Sequence, residues 1–439
     1  MTVRRASAVL LALIAVLLCA PEASAHTELT SSNPKDGARL DHAPSAVQLT
    51  FSEPVDPAEV RVTAGGKKLA VTRPDARRPQ AVAVAVPDSV GAAGKGLTLV
   101  WRVADEHDGH ATAGKVSFQV RAAAPADRGG EDAVPTPSSA LRDSVTAARW
   151  VEYLALALFV GSLGFLTLLW PQGSEVRRAR TVLTLAWVCG LATTVAGTGL
   201  QGAYAAMGSL GDALEPATYA DALAGEAGIV RAARALLWLL AAVVLAAVLQ
   251  GGERTARSPG WRVGAAVVCL GLLRTVGMSG HATEGNHPGW GAVADLVHLL
   301  GISLWIGGLV VLLVGVLPRR RPDELAEVVH RYSTLAGVSV AAVAAAGVVL
   351  SWQVLGSFGA LFDSSYGRLL LVKVALLATV LLVAQRSRSW VRTRLDIAVL
   401  LRGDSATVRP FVYSVAAETG LVLAVLGAAS LLVTTAPGR

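Results

Sequence analysis

Cysteine is nearly absent from this 439-residue chain: only Cys19, Cys189 and Cys269 occur, and none falls within residues 26–121. That stretch therefore has no disulfide framework and no thiolate zinc site. Charge is scarce too. Charged residues make up 16% of the chain against 53% hydrophobic, a balance too apolar for an ordinary soluble enzyme. Three connecting segments, 202–228, 282–289 and 354–367, contain no lysine or arginine at all. The formal net charge of +7 does not mark a nucleic-acid binder. The basic residues, mostly arginine, gather in short loops between apolar runs, where they set orientation in a membrane.

What the chain has in excess is apolar runs of about 20 residues, each long enough to cross a bilayer. Eight are expected, near 149–170, 181–201, 229–249, 262–281, 290–317, 333–353, 368–386 and 411–434. The loops after the first, third, fifth and seventh carry arginines, among them Arg177, Arg254, Arg320 and Arg388. Basic loops stay in the cytoplasm, so the N-terminal region and the C-terminus are expected outside, with the chain multi-pass in the plasma membrane. An independent feature agrees. Arg4 and Arg5, the apolar run Ala8 to Ala20 and the small residues Ala23-Ser24-Ala25 form a secretory signal over residues 1–25. Cleavage after Ala25 would make His26 the first residue of the mature chain.

Residues 26–121 read differently. Short β-branched or alternating stretches at Val47 to Phe51, Glu59 to Thr63, Val82 to Val86, Leu97 to Val103 and Val116 to Val120 are separated by turn residues such as Asp36-Gly37 and Gly65-Gly66. Strands at this spacing predict an all-β immunoglobulin-like sandwich on the outer side. Residues 122–147, rich in Ala, Pro, Ser and Gly, predict a flexible tether. An all-α polytopic membrane bundle of eight transmembrane helices then fills residues 148–435.

Given that topology, seven of the eight histidines face outward; only His330 does not. Histidine is the commonest metal ligand. An N-terminal histidine chelates copper through its α-amine and ring nitrogen, and an α-amine loses its proton to a metal at modest cost near neutral pH. Asp108 and His110, two apart on an extended chain, project to one side. With His26 they supply three nitrogens and one oxygen, a donor set suited to tetragonal Cu(II). His42 and His107 read as surface residues.

Within the spans, ionisable side chains are functional candidates because burying them is costly. Met278 and His281 are three apart, as are Asp295 and His298, so each pair shares a helix face. Asp295 either orients the His298 ring or ligates directly. Glu152, Arg231, Arg234, Arg274, Lys373 and Glu418 are further charges within or at the ends of spans, and the sequence does not pair them. Cys189 and Cys269 read as small apolar packing rather than metal ligands.

These residues carry a resemblance. His26 through Ala38, the stretch Leu49-Thr50-Phe51-Ser52-Glu53-Pro54-Val55, and Asp108-Gly109-His110 followed by Gly114 and Phe118 resemble the bacterial copper resistance protein family CopC. That resemblance implies a Cu(II) site at His26, Asp108 and His110. The absence of methionine from residues 26–121 excludes the Met-rich Cu(I) site of some relatives. Ser279-Gly280-His281-Ala282, Asp295 with His298, Leu304-Trp305-Ile306-Gly307-Gly308-Leu309, Arg331-Tyr332-Ser333 and Glu418 resemble the membrane family CopD. The chain thus looks like a fusion of the two, which implies copper transport, usually inward, serving copper homeostasis and resistance.

The expected function is capture of Cu(II) outside the cell and transfer to the membrane site, with the tether holding the donor at roughly millimolar effective concentration and no docking surface needed. Copper ion and the lipid bilayer are the implied partners, and the residues point to no particular reductase or copper chaperone. The oxidation state in the membrane stays open between Cu(I) and Cu(II). Three other readings remain: an enzymatic copper-dependent oxidase, a haem or copper membrane redox protein with His281 and His298 as axial ligands, and surface sequestration without transport. The first expectation to test is the mature terminus. N-terminal sequencing of protein isolated from membranes is expected to begin at His26; a chain beginning at Met1 or Cys19 would remove the chelate.

Overall fold

The structure is a computed structural model. It describes residues 29–355 apart from single positions and the segments 88–96, 105–110, 121–137, 279–287 and 320–321, together with isolated positions beyond 355. The described residues form two compact units, one within residues 26–145 and 196–232, the other within 146–195 and from 233 onward.

Among the described residues of the first unit, nine strands form two sheets. β1 (Leu29–Asn33), β3 (Ala46–Phe51), β7 (Ala81–Ala85) and β6 (Val71–Thr72) make a four-stranded sheet in the order β1-β3-β7-β6. β2 (Arg39–Leu40), β9 (Ala111–Val120), β8 (Leu97–Ala104), β4 (Val60–Ala64) and β5 (Lys67–Leu69) make the other in the order β2-β9-β8-β4-β5. All pairings are antiparallel except β2 with β9. Strict alternation explains the layering. In β4 the inward Val60, Val62 and Ala64 are buried, while Arg61 and Thr63 face out. Residues from both inner faces, among them Leu49, Phe51, Val62, Val84, Leu99 and Phe118, fill one core. Phe51 meets Trp101 edge-on, ring centroids 5.4 Å apart, which locks the sheets together at one end.

The five strand stretches expected from the sequence all occur, within a residue or two at most ends except the start of β9. The short edge strands β2, β5 and β6 were too brief to show a period. Expected turns hold the frame: Gly37 (φ +75°) and Gly65 (φ +54°) adopt left-handed backbone. Asp36 Oδ1 accepts the Ser117 amide at 2.7 Å.

The helical region has seven α-helices among the described residues: α1 (Ser139–Leu168), α2 (Arg177–Ala205), α3 (Pro216–Leu223), α4 (Glu226–Arg257), α5 (Pro259–Gly277), α6 (Pro288–Val311) and α7 (Pro322–Leu355). Six of these are long and apolar enough to cross a membrane, α3 being the exception. They correspond to the first six expected spans. The expected spans at 368–386 and 411–434 lie outside the described residues, so six of the eight expected spans are seen. The start of the helical region also moves. α1 begins at Ser139, inside the stretch 122–147 expected to be tether, because Leu141 and Val145 have an apolar cluster to pack into.

Many side chains on the spans face outward, including Leu239, Leu240, Val243, Val263 and Val267, as a lipid-facing surface requires. Between α1 and α6 the contact is backbone to backbone. A Cβ built on Gly307 would lie 2.6 Å from the Ala157 carbonyl oxygen and from the Gly161 Cα, so the crossing tolerates only glycine at both places. This fixes the face of α6 that carries Asp295 and His298.

Candidate metal sites

The β8–β9 hairpin is paired to its end, Val103 opposite Thr112 and Ala104 opposite Ala111. Residues 105–110 join the two strands and, with His26, lie outside the described residues, as do His107, Asp108 and His110. The flanking geometry is informative. Leu29, three residues after His26, pairs with Phe51, and Phe51 packs on Trp101, three residues before Ala104. The start of β1 and the turn end of β8–β9 therefore share one end of the sandwich. His42 is exposed.

In the membrane unit, Asp295 and His298 both sit on α6, one turn apart, and each meets a different neighbour. The His298 ring donates from Nδ1 to the Val343 carbonyl of α7 at 3.1 Å. That donation fixes the tautomer, making Nε2 the basic nitrogen. Gly347, one turn further along α7, leaves room for the ring, with Cε1 3.8 Å from where its Cβ would stand. Asp295 turns toward α5. A Cβ on Gly277 would collide with its carboxylate and stand 3.9 Å from Arg274 Nη1, so a carboxylate and a guanidinium converge on that glycine.

Met278 follows directly as the C-cap of α5, its amide bonded to the Arg274 carbonyl at 3.0 Å and its side chain exposed. The structure thus brings Asp295 beside the Gly277–Met278 step. His281 and His287 lie outside the described residues. Among the described residues, no three His, Cys, Asp or Glu side chains are grouped closely enough to hold a metal. Cys269 is buried and Cys189 half-buried.

A polar node that the sequence could not assemble lies next to this step. Glu152 of α1 and Arg234 of α4 form an ion pair at 2.9 Å, with side chains 13% and 9% exposed. Thr194 of α2 donates to the same Glu152 oxygen at 3.1 Å. Arg234 Nη2 donates to the Thr275 carbonyl of α5 at 2.5 Å, and its Nε to the Thr275 hydroxyl at 3.4 Å. Four helices are joined through one ion pair. Charge within apolar runs flagged Glu152 and Arg234 individually; their pairing depends on helix rotation, which no local pattern encodes.

A β-sandwich joined to a bundle of membrane-length helices, with ionisable groups held inside the bundle, defines a multi-pass membrane protein with an appended β-domain. Comparison with known families specifies which. Residues 29–121 match the CopC domain, residues 140–293 the copper resistance protein D-like N-terminal domain, and residues 326–432 copper resistance protein D. The chain is a CopC–CopD fusion of the copper resistance and transport proteins.

It is 28% identical over 386 residues to the copper transport protein CutJ of Bacillus subtilis (strain 168), covering 84% of this chain and 69% of that one. It is 32% identical over 175 residues to copper resistance protein D of Pseudomonas syringae pv. tomato, covering 38% of this chain and 56% of the relative. The crystal structure of CopC from Methylosinus trichosporium OB3b matches 22% of this chain and 93% of its own at 25% identity, with a TM-score of 0.19.

The node yields a measurable asymmetry. Glu152→Ala takes the carboxylate away from a buried guanidinium and is expected to cost about 3–5 kcal/mol, whereas Glu152→Ala combined with Arg234→Met should recover much of that loss. Thermal unfolding in detergent reads both; equal destabilisation by the single and double variants would show that the pair is not the linchpin.

Proposed function

We propose that this chain captures Cu(II) outside the cell and passes it to a membrane site for inward transport. The capture ligands are the α-amine and ring of His26, Asp108 and His110. The receiving ligands are His281, His298, Met278 and Asp295. Copper is the substrate here, taken up and released.

One observation carries the reading: α6 holds the His298 imidazole inside the bundle with its Nδ1 proton committed to the Val343 carbonyl. A carbonyl on Nδ1–H raises the basicity of Nε2 and stops the ring from turning, which is how proteins prepare a histidine for a metal. The family membership supplies the metal, copper. The convergence of Asp295 and Arg274 beside Met278 adds a carboxylate balanced by a cation. An approaching copper ion would compete with that guanidinium for the carboxylate and would not meet an isolated buried charge. Imidazole binds either oxidation state of copper, thioether favours Cu(I) and carboxylate favours Cu(II).

For capture, the shared sandwich end described above supports His26 meeting the β8–β9 turn. The membrane half then accepts a metal already concentrated beside it, which matters when free copper is scarce.

The test is a Cu(II) titration of the purified mature chain, followed by electron paramagnetic resonance. The wild type is expected to show a tetragonal signal with coupling to three nitrogens. His26→Ala keeps the α-amine but is expected to lose the imidazole nitrogen, and with it the amine–ring chelate and at least the roughly 10–100-fold in affinity that even a supporting group costs a metal site. An unchanged spectrum and affinity in His26→Ala would contradict the capture site.

A further inference from the structure

The five-stranded sheet has a charge pattern that its own domain does not explain. β4 and β8 pair with Arg61 directly opposite Arg102 on the outward face. Like charges in that position destabilise a sheet. Lys68 of β5 and Lys115 of β9 point to the same outer side, and none of the five strands contains an acidic residue. An isolated sandwich would simply bear that repulsion.

The partners lie in the same compact unit, in the segment Ala206–Leu223 that contains α3 and leads from α2 toward α4. This cap contains Asp212, Glu215 and Asp221 and no basic residue. Arg61 pairs with Asp221 at 2.7 Å, and Arg102 donates to the Ala206 carbonyl. Burial is the main influence lowering the Arg102 pKa from its ordinary value, with Arg61 adding to it and Asp221 opposing. Beside them, Ala113 of β9 packs against Leu141, Val145, Ala203, Tyr204, Met207 and Ala213.

The Ala206 carbonyl is presented by an unusual helix end. Gly208 N bonds to the Ala203 carbonyl and Met207 N to the Tyr204 carbonyl, both at 2.9 Å, which closes α2 with a Schellman turn. The left-handed position of that turn, normally glycine, is Met207 (φ +53°). A bulky residue there is strained and persists only where its surroundings require it. Here the side chain is buried in the cluster that receives Ala113. The turn leaves the last carbonyls of α2 without helical partners at the negative end of the helix dipole, and Arg102 supplies the cation that satisfies one of them.

We propose that the acidic cap Ala206–Leu223 is a docking site for the basic face of the chain's own β-sandwich, gripping β4 through Arg61 and the β8–β9 hairpin through Arg102 and Ala113. The hairpin is therefore held against the cap, and transfer takes place from a docked state. This differs from the expectation that tethering alone suffices. That docking serves copper transfer rests on the function proposed above; the docking itself does not.

The test uses the full chain in native membranes, with Cys189→Ala and Cys269→Ala and a protease site inserted between residues 122 and 137. Arg61→Cys with Asp221→Cys is treated with a short bis-maleimide, cleaved at the inserted site and run on a denaturing gel. Cross-linked chains stay full length. Ala46→Cys, on the outer side of the four-stranded sheet, with Asp221→Cys is the control for a domain that merely swings.

Docking predicts cross-linking on the order of tenfold faster for the first pair, above what a loose tether's effective concentration gives. Equal rates for the two pairs, or no cross-link in the first, would overturn the proposal. Since no copper is involved, a chain that failed to transport copper would still give the docked result.

Discussion

Placing a guanidinium among apolar helices costs several kcal/mol unless its hydrogen-bonding groups are supplied in advance. In this chain they are supplied by two other helices, and a third supports the carboxylate. Arg234 of α4 is matched by the Glu152 carboxylate of α1 and by the hydroxyl and carbonyl of Thr275 on α5, while Thr194 of α2 steadies the carboxylate. The arrangement is selective because each wrong rotation of a helix would strand a charge in hydrocarbon. It also fixes the end of α5: Thr275 lies between Arg274 and the Gly277–Met278 step, where the Asp295 carboxylate arrives from α6. The proposed receiving site is therefore built onto the most constrained part of the bundle.

A second constraint acts from the other side of α6. The glycine crossing of Gly161 and Gly307 brings α1 and α6 into backbone contact, and the Val343 carbonyl on α7 holds the His298 ring. One helix is thus pinned on two sides while presenting an imidazole and a carboxylate one turn apart. Rigid elements place ligands more accurately than loops do. The capture site has a different logic. The ligands proposed for it, His26, Asp108 and His110, come from the start of the domain and from the segment that joins β8 to β9.

Much of the fold was legible in the sequence because each layer has a local signature. Apolar runs of bilayer length marked six described spans, and β-branched or alternating stretches such as Glu59 to Thr63 marked the strands. The candidate ligands were legible as residue types at helical spacing, but their partners were not. Spacing put Asp295 and His298 on one face of α6, yet the structure turns one toward α5 and the other toward α7. The acceptor for His298 is a backbone carbonyl, which carries no sequence signal. The pairing of Arg61 with Arg102 was equally invisible, because it depends on strand register, and only the acidic cap gives it a reason.

The account stands or falls on copper moving through both sites in order. The most direct measurement is radiocopper uptake at limiting copper by cells carrying the intact chain, His26→Ala or His298→Ala, with each variant's abundance in the membrane checked. The account predicts that uptake falls to background in both. Excess external copper should restore His26→Ala, whose receiving site is intact, and leave His298→Ala inactive. Wild-type uptake in both variants at limiting copper would contradict it.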